Sequence, residues 1–180
     1  DVYKRQLSDG RLYKAQVLGI KKGVRGTPGE LEGVVYYGKD NQIGEVSSNT
    51  QIGIYGTLTK NFREEKKNES LLCPVGYKQE IQTKDAVILS DASGELQSYR
   101  IVIDDLDYTP GDKNKGIRFH VEDENLLKLT GGIVQGLSGS PILQDGKLIG
   151  AVTHVLVNDP TKGYGIFVEK MTGNKIGQKT

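Results

Sequence analysis

The segment Gly136-Leu137-Ser138-Gly139-Ser140-Pro141 places a serine between glycines, directly before two apolar runs that flank Asp145-Gly146. Because Asp and Gly both tolerate a positive φ, this pair predicts a β-hairpin with arms at residues 141–144 and 147–157. The glycines beside Ser138 let the backbone bend sharply and let other groups approach its N–H groups closely. A tight serine turn ahead of a hairpin is therefore the clearest local prediction from the sequence.

Short alternating or apolar segments recur through the rest of the chain and predict β-strands. Residues 61–70 are polar and of mixed charge and predict a solvated loop, whereas residues 123–129 predict one or two helical turns. Residues 21–30 and 158–163 carry the glycines and prolines that are typical of turns and loops. The predicted strands are residues 12–20, 33–37, 43–46, 52–58, 86–89, 96–103, 117–121 and 164–168. Many short strands with frequent turns favour an all-β barrel or sandwich.

The composition narrows the classes of partner and cofactor. Lysines and arginines number 24 against 23 acidic residues, so the net charge of +1 gives no reason to expect nucleic acid or an anionic membrane surface as a partner. No run of about 18 apolar residues is present, so no membrane span is expected in the sequence. A single cysteine, Cys73, excludes an internal disulfide, and with two separated histidines it cannot complete a structural zinc site. No metal or other cofactor is therefore expected.

Ser138 is a candidate nucleophile. If it attacks a carbonyl carbon, its own N–H and that of Gly136 can converge on the developing oxyanion, and each such donor is worth about 2.7–4 kcal/mol in well-studied cases. Ser140 is a weaker candidate because it adjoins Pro141 at the entry to the strand. The alternative is a glycine-rich turn between strands that happens to contain two serines.

The surroundings of the turn carry a family resemblance. Residues 130–142, Thr-Gly-Gly-Ile-Val-Gln-Gly-Leu-Ser-Gly-Ser-Pro-Ile, closely resemble the SpoIVB family of sporulation serine peptidases. Gly150-Ala151-Val152-Thr153-His154-Val155 resembles the same family, and the order of strand, serine turn and hairpin is similar to the last barrel of trypsin-like peptidases. The resemblance implies an all-β, trypsin-like double β-barrel whose first barrel is incomplete, with residues 1–180 forming one SpoIVB-type peptidase domain.

The resemblance also implies roles for individual residues. Ser138 matches the family's nucleophile and Asp123 its acid partner, with the N–H groups of Gly136 and Ser138 as the oxyanion hole. Thr153 and His154 match a strand that lines the substrate channel. Asp123 has the alternative of a helix-capping residue. For His154, the alternatives are a buried structural histidine and a base in its own right.

The family's general base is a histidine in a Gly-His motif that precedes the region resembling Ser8-Asp9-Gly10-Arg11, and residues 1–7 contain no histidine. We therefore expect the base, a PDZ domain and a membrane-proximal segment to lie upstream of this sequence, and we expect little or no peptidase activity from it. His120 lies outside the family motifs and is expected to be solvated. Leu137 cannot form the ion pair of zymogen-type activation.

The biological role implied by the resemblance is cleavage of a membrane-bound regulator during activation of a sporulation sigma factor. It implies secretion across the forespore membrane into the space between the two membranes, as well as self-cleavage. Protein or peptide substrates are the expected partners. The competing hypothesis is a catalytically silent β-barrel that binds peptides or partner proteins and keeps Ser138 as a relic.

Overall fold

A computed structural model describes residues 10–66, 73–109, 111–112 and 114–173. The chain divides after residues 16, 32 and 72 into two compact units. The first unit contains residues up to 16 and residues 33–72, and the second contains residues 17–32 and those from 73 onward. Within the described part of the chain, no helix is both long enough and apolar enough to cross a membrane.

The first unit is built on an antiparallel three-stranded sheet, whose strands are β1 (Gly10–Tyr13), β4 (Gln42–Thr50) and β5 (Gly53–Leu58), in the order β1-β4-β5. Strands β2 (Ala15–Lys21) and β3 (Glu30–Val35) form a separate two-stranded sheet. Residues 12–20, expected as one strand, are thus divided between β1 and β2. In the described part of the chain β1, β4 and β5 form an open sheet, and the incompleteness of the first barrel stays a prediction.

Residues 60–66 correct one expectation, because they form helix α1 (Lys60–Lys66) and not a loop. The helix begins where the Thr59 hydroxyl accepts a hydrogen bond from the Phe62 N–H, at 3.3 Å. Lys60 and Glu64, one turn apart, form an ion pair of 3.8 Å. Local capping and pairing of this kind stabilise a helix that lacks an apolar stripe. Residues 67–70 of the predicted loop lie outside the described residues.

The second unit contains a closed six-stranded antiparallel barrel in the order β10-β11-β8-β7-β6-β9. Alternate side chains along β8 point into it, so Ile117, Phe119 and Val121 are buried while Arg118 is exposed. Burial of side chains of this size contributes about 1.5–3 kcal/mol each. The strands are β6 (Asp85–Ser90), β7 (Gln97–Leu106), β8 (Ile117–Val121), β9 (Pro141–Gln144), β10 (Lys147–Leu156) and β11 (Asp159–Phe167). The all-β, trypsin-like expectation is confirmed.

The β9–β10 hairpin is also confirmed. Asp145 and Gly146 have φ values of 51° and 75°, the left-handed pair of a type I′ turn.

The prediction of a loop at residues 158–163 is wrong, because strand β11 already begins at Asp159. Pro160 is tolerated in this strand because pairing with β8 starts only at Lys162.

Two short helices flank the barrel strands. Helix α2 (Glu124–Thr130) follows β8, as expected for residues 123–129, and Gly131 ends it with a φ of 77°. Helix α3 (Val168–Thr172) follows β11. The segment between α2 and β9 carries the serine turn.

Candidate active site

The serine turn is anchored through Leu137. Its side chain is fully buried in the barrel core, whereas Ser138 is exposed. The backbone on either side is bonded to β10, since Gly139 N donates to Val152 O at 2.8 Å and Val152 N donates to Ser140 O at 2.9 Å. Leucine at this position therefore fixes the turn by apolar packing.

The hydroxyl of Ser138 rests on the backbone of β10. Its Oγ donates a hydrogen bond to the carbonyl oxygen of Thr153, 3.1 Å away. No hydrogen bond between Ser138 and a ring nitrogen of His120 or His154 is present in the described structure. The structure thus brings together two of the predicted site residues, Ser138 and Thr153, without bonding either histidine to the hydroxyl.

Backbone donors are available beside the hydroxyl. Gly136 is exposed and has a φ of 102°, a value that favours glycine. Among the described residues, neither Gly136 N–H nor Ser138 N–H donates a hydrogen bond to another group. Two unsatisfied N–H groups flanking an exposed serine are the feature that an oxyanion hole requires.

The glycine pair ahead of the turn allows two other segments to pack closely against it. A Cβ on Gly131 would lie 2.3 Å from Gly23 O, and one on Gly132 would lie 2.2 Å from Pro160 O. Hydrogen bonds join the same segments, from Gly23 N to Thr130 O at 2.8 Å and from Ile133 N to Pro160 O at 2.7 Å. The glycines of the family-like motif are thus required by contacts that no other residue type would permit.

Thr153 holds β10 in place beneath the serine. Its Oγ1 lies 2.6 Å from Asn114 O and 3.0 Å from Tyr164 O, so the single hydroxyl hydrogen is within reach of two backbone carbonyl oxygens. The strand is irregular here, because its register against β11 shifts between Val152 and His154. His154 is half-buried, and the role of this strand as a channel wall stays a prediction.

Asp123 caps helix α2, so the structure confirms the capping role given above as the alternative for this residue. Its Oδ1 accepts from Leu126 N at 3.0 Å and its Oδ2 from Arg100 N at 3.2 Å. Asp123 also lines an open cavity of about 490 Å³ that Ser138 does not line. The structure makes no hydrogen bond between Asp123 and Ser138 or a histidine, and the catalytic role of Asp123 stays a prediction.

Strand register explains why Asp123 and Ser138 are not neighbours. β8 begins level with the serine turn, because Ile117 pairs with Gly165 and Gly165 pairs with Val152. Asp123 follows the other end of β8, and four steps along a strand cover about 13 Å.

His120 is paired with two carboxylates, while 31% of its side chain remains accessible to solvent, as the expectation of a solvated histidine requires. Its Nδ1 lies 2.7 Å from Asp104 Oδ1 and its Nε2 lies 3.4 Å from Glu122 Oε1. Burial by itself lowers the pKa of His120, but the hydrogen bonds and negative charges of Asp104 and Glu122 raise the pKa above its usual value. Sequence reasoning missed this cluster because it depends on the register of β7 against β8, where His120 faces Val102.

Comparison with solved structures agrees with the barrel architecture. The chain aligns with the active form of the Rv3671c protease from M. tuberculosis at a TM-score of 0.52 and 13% identity, covering 98% of this chain and 85% of that one. The inactive form of a Ser-to-Ala mutant of Rv3671c from M. tuberculosis H37Rv aligns at a TM-score of 0.51 and 15% identity, covering 96% of this chain and 89% of that one. At such identities the likeness shows the fold alone.

Sequence comparison supplies the family. No curated protein matches the chain. The model of the family described as SpoIVB peptidase S55, however, matches residues 3–172, which is nearly the whole sequence. The protein therefore belongs to the SpoIVB family of serine peptidases, S55.

Proposed function

We propose that this chain supplies the nucleophile and the oxyanion hole of a serine endopeptidase. The observation that carries the proposal is the exposed Ser138 hydroxyl beside the N–H groups of Gly136 and Ser138, which donate no hydrogen bond among the described residues. Membership of a serine peptidase family supports the same assignment.

The reaction is acyl transfer. Ser138 Oγ attacks the scissile carbonyl carbon while a base removes the hydroxyl proton, and the carbonyl oxygen becomes an oxyanion held by Gly136 N–H and Ser138 N–H. Collapse of this intermediate breaks the C–N bond, and the leaving amine takes the proton back from the base. Water then hydrolyses the acyl-enzyme and returns the proton to Ser138 Oγ.

The base is the part of the mechanism that we assign outside these 180 residues. His120 is engaged by two carboxylates, and within the described part of the chain the hydrogen bond of the Ser138 hydroxyl goes to Thr153 O and not to a histidine. A serine without a base is a poor nucleophile, so turnover by this chain alone is expected to be very low.

Family membership supports the proposed biological role. We assign as substrate a membrane-bound regulator of a sporulation sigma factor, cleaved in the space between the forespore and mother-cell membranes. The competing function is a silent peptide-binding barrel, and the observation that favours it is the Ser138 hydroxyl bonded to Thr153 O instead of to a base.

A fluorophosphonate probe with added imidazole separates the two functions. Phosphonylation forms the Oγ–P bond, breaks the P–F bond and releases fluoride, and imidazole takes the serine proton in place of the missing histidine. We expect mass spectrometry to find the label on Ser138, at a rate that rises with imidazole concentration. Ser138→Ala should abolish the labelling, whereas Ser140→Ala should leave it unchanged.

Each remaining outcome has a definite meaning. No labelling of Ser138 at any imidazole concentration would favour the silent barrel. Rapid labelling without imidazole that is lost in His154→Ala or His120→Ala would show that the chain contains its own base.

A further inference from the structure

The peptide between Gln135 and Gly136 is the central peptide of a β-turn. Leu137 N donates to Val134 O at 3.2 Å, which closes a turn over residues 134–137. Gly136 has a φ of 102° at the third position, while Gln135 keeps a negative φ, so the turn is of type II. In a type I turn the third residue has a φ near −90° and this same peptide is flipped. The peptide therefore has two alternative orientations.

Strand β3 fixes one of these orientations. Leu31 N donates to Gln135 O at 2.8 Å, and Gln135 N donates to Gly29 O at 2.8 Å. In a planar trans peptide the C=O and N–H bonds point in opposite directions. With Gln135 O directed at Leu31, the Gly136 N–H must point away from β3. A flip would break the Leu31 bond and would turn the Gln135 carbonyl towards the side where an oxyanion needs a donor.

The half of the β2–β3 hairpin that contains Leu31 is itself attached to the barrel unit. Gly23 N donates to Thr130 O at 2.8 Å, and Gly26 N donates to Val157 O at 2.9 Å. Leu31 also packs against the turn, since a Cβ on Gly136 would lie 2.9 Å from Leu31 Cβ. The position of the Leu31 N–H is therefore determined by several contacts within one unit.

We propose that the backbone N–H of Leu31 is a positioning group for catalysis. It holds the Gln135 carbonyl, and by doing so it presents the Gly136 N–H to the oxyanion. The inference rests on the proposed function of Ser138 and extends it to a residue outside the serine turn. Residues 17–32 thereby act as a clamp on the oxyanion hole.

A backbone ester tests this proposal without changing a side chain. Leu31→leucic acid, the α-hydroxy acid of leucine, replaces the N–H by oxygen and removes the donor. Leu148→leucic acid is the matched control, because Leu148 N donates to Pro74 O at the same distance of 2.8 Å. Both esters remove one backbone hydrogen bond from the same residue type, and only the first touches the Gln135 peptide.

The readout is the imidazole-dependent rate of Ser138 phosphonylation, with stability to urea measured in parallel. Outright loss of one oxyanion donor costs about 10²–10³ in rate, and a peptide that is free to flip should lose about 10- to 100-fold. We expect this loss for the Leu31 ester, and a rate within twofold of wild type for the Leu148 ester. Equal rates for the two esters and wild type would overturn the clamp while leaving the proposed function intact. An unlabelled wild-type protein would overturn both.

A second measurement tests the proposal on the wild-type protein, in case the Leu31 ester does not fold. In the wild-type protein, the scalar coupling across the hydrogen bond between Leu31 ¹⁵N and Gln135 ¹³C′ should be present before and after Ser138 is phosphonylated. Its absence in the phosphonylated protein would show that the formed hole does not need the Leu31 N–H, and would overturn the inference.

Discussion

The carbonyl oxygen of Gly23 lies only 2.3 Å from the position that a Cβ on Gly131 would occupy. Gly131 also ends helix α2 in the left-handed region, with a φ of 77°. Two separate requirements therefore select glycine here, one from backbone conformation and one from the approach of the β2–β3 hairpin.

Gly131→Ala should therefore lower the free energy of unfolding more than an alanine that has a positive φ but no close neighbours. Gly146 is the matched control, since its φ is 75° and nothing lies within 4 Å of its missing Cβ. We expect Gly146→Ala to lower the free energy of unfolding by about 1–2 kcal/mol, and Gly131→Ala to lower it by about 2–5 kcal/mol. Urea denaturation measures both, and equal losses would show that Gly23 can move aside.

The hydroxyl of Thr130 joins α2 to the glycine pair, and its removal should be costly. The side chain is fully buried, and Oγ1 lies 2.8 Å from Leu126 O and 2.6 Å from Gly132 O. Thr130→Val keeps the shape but leaves buried backbone groups without this partner, at an expected cost of about 1–3 kcal/mol. Thr130→Ser keeps the hydroxyl and loses a methyl group, at about 0.8 kcal/mol. A serine variant that unfolds more easily than the valine variant would contradict the argument.

Local sequence signals predicted the barrel better than the site. Asp145-Gly146 gave the β9–β10 hairpin, because turn chemistry is encoded by two adjacent residues. The segment 117–121 matched β8 to the residue, because its alternation of buried and exposed side chains is strict. Helix α1 was missed because the contacts that support it are a cap and a charge pair, which leave no apolar periodicity.

The contacts that shape the site were missed for a different reason. The bonds from Leu31 N to Gln135 O and from Gly23 N to Thr130 O join backbone atoms of segments about a hundred residues apart. Nearly every residue has the same backbone N–H and C=O groups, so such bonds do not select particular residue types and cannot be predicted from the sequence. Gly131 and Gly132 are the only sign of these contacts in the sequence. They belong to the family-like motif, but the sequence does not show which segments pack against them.

Asp123→Asn separates the capping role of Asp123 from a catalytic one. Asn caps helices about as well as Asp, whereas Asp123→Ala should cost about 0.5–2 kcal/mol. Because an amide has a single oxygen, Asp123→Asn can keep the capping bond from Leu126 N but loses the bond from Arg100 N, so we expect it to fold with a loss of about 0.5–1.5 kcal/mol. Its imidazole-assisted labelling of Ser138 should stay within twofold, because imidazole from solution does not depend on an orienting carboxylate. A tenfold slower reaction in a stable Asp123→Asn protein would instead mean that the carboxylate acts directly on the Ser138 chemistry.

The His120 cluster should make stability depend on pH near neutrality. Asp104 and Glu122 raise the pKa of His120 in the folded protein, so the protonated ring is favoured by folding. This contribution is fully present below the unfolded value of about 6.5 and is lost as pH rises through the raised value. Urea denaturation of wild type and His120→Gln from pH 5.5 to 8.5 measures it, and the stability difference between the two proteins should shrink as pH increases. Asp104→Asn, which removes the carboxylate 2.7 Å from the ring, should weaken the same trend. A difference that grows with pH would mean that burial of the ring outweighs the two carboxylates.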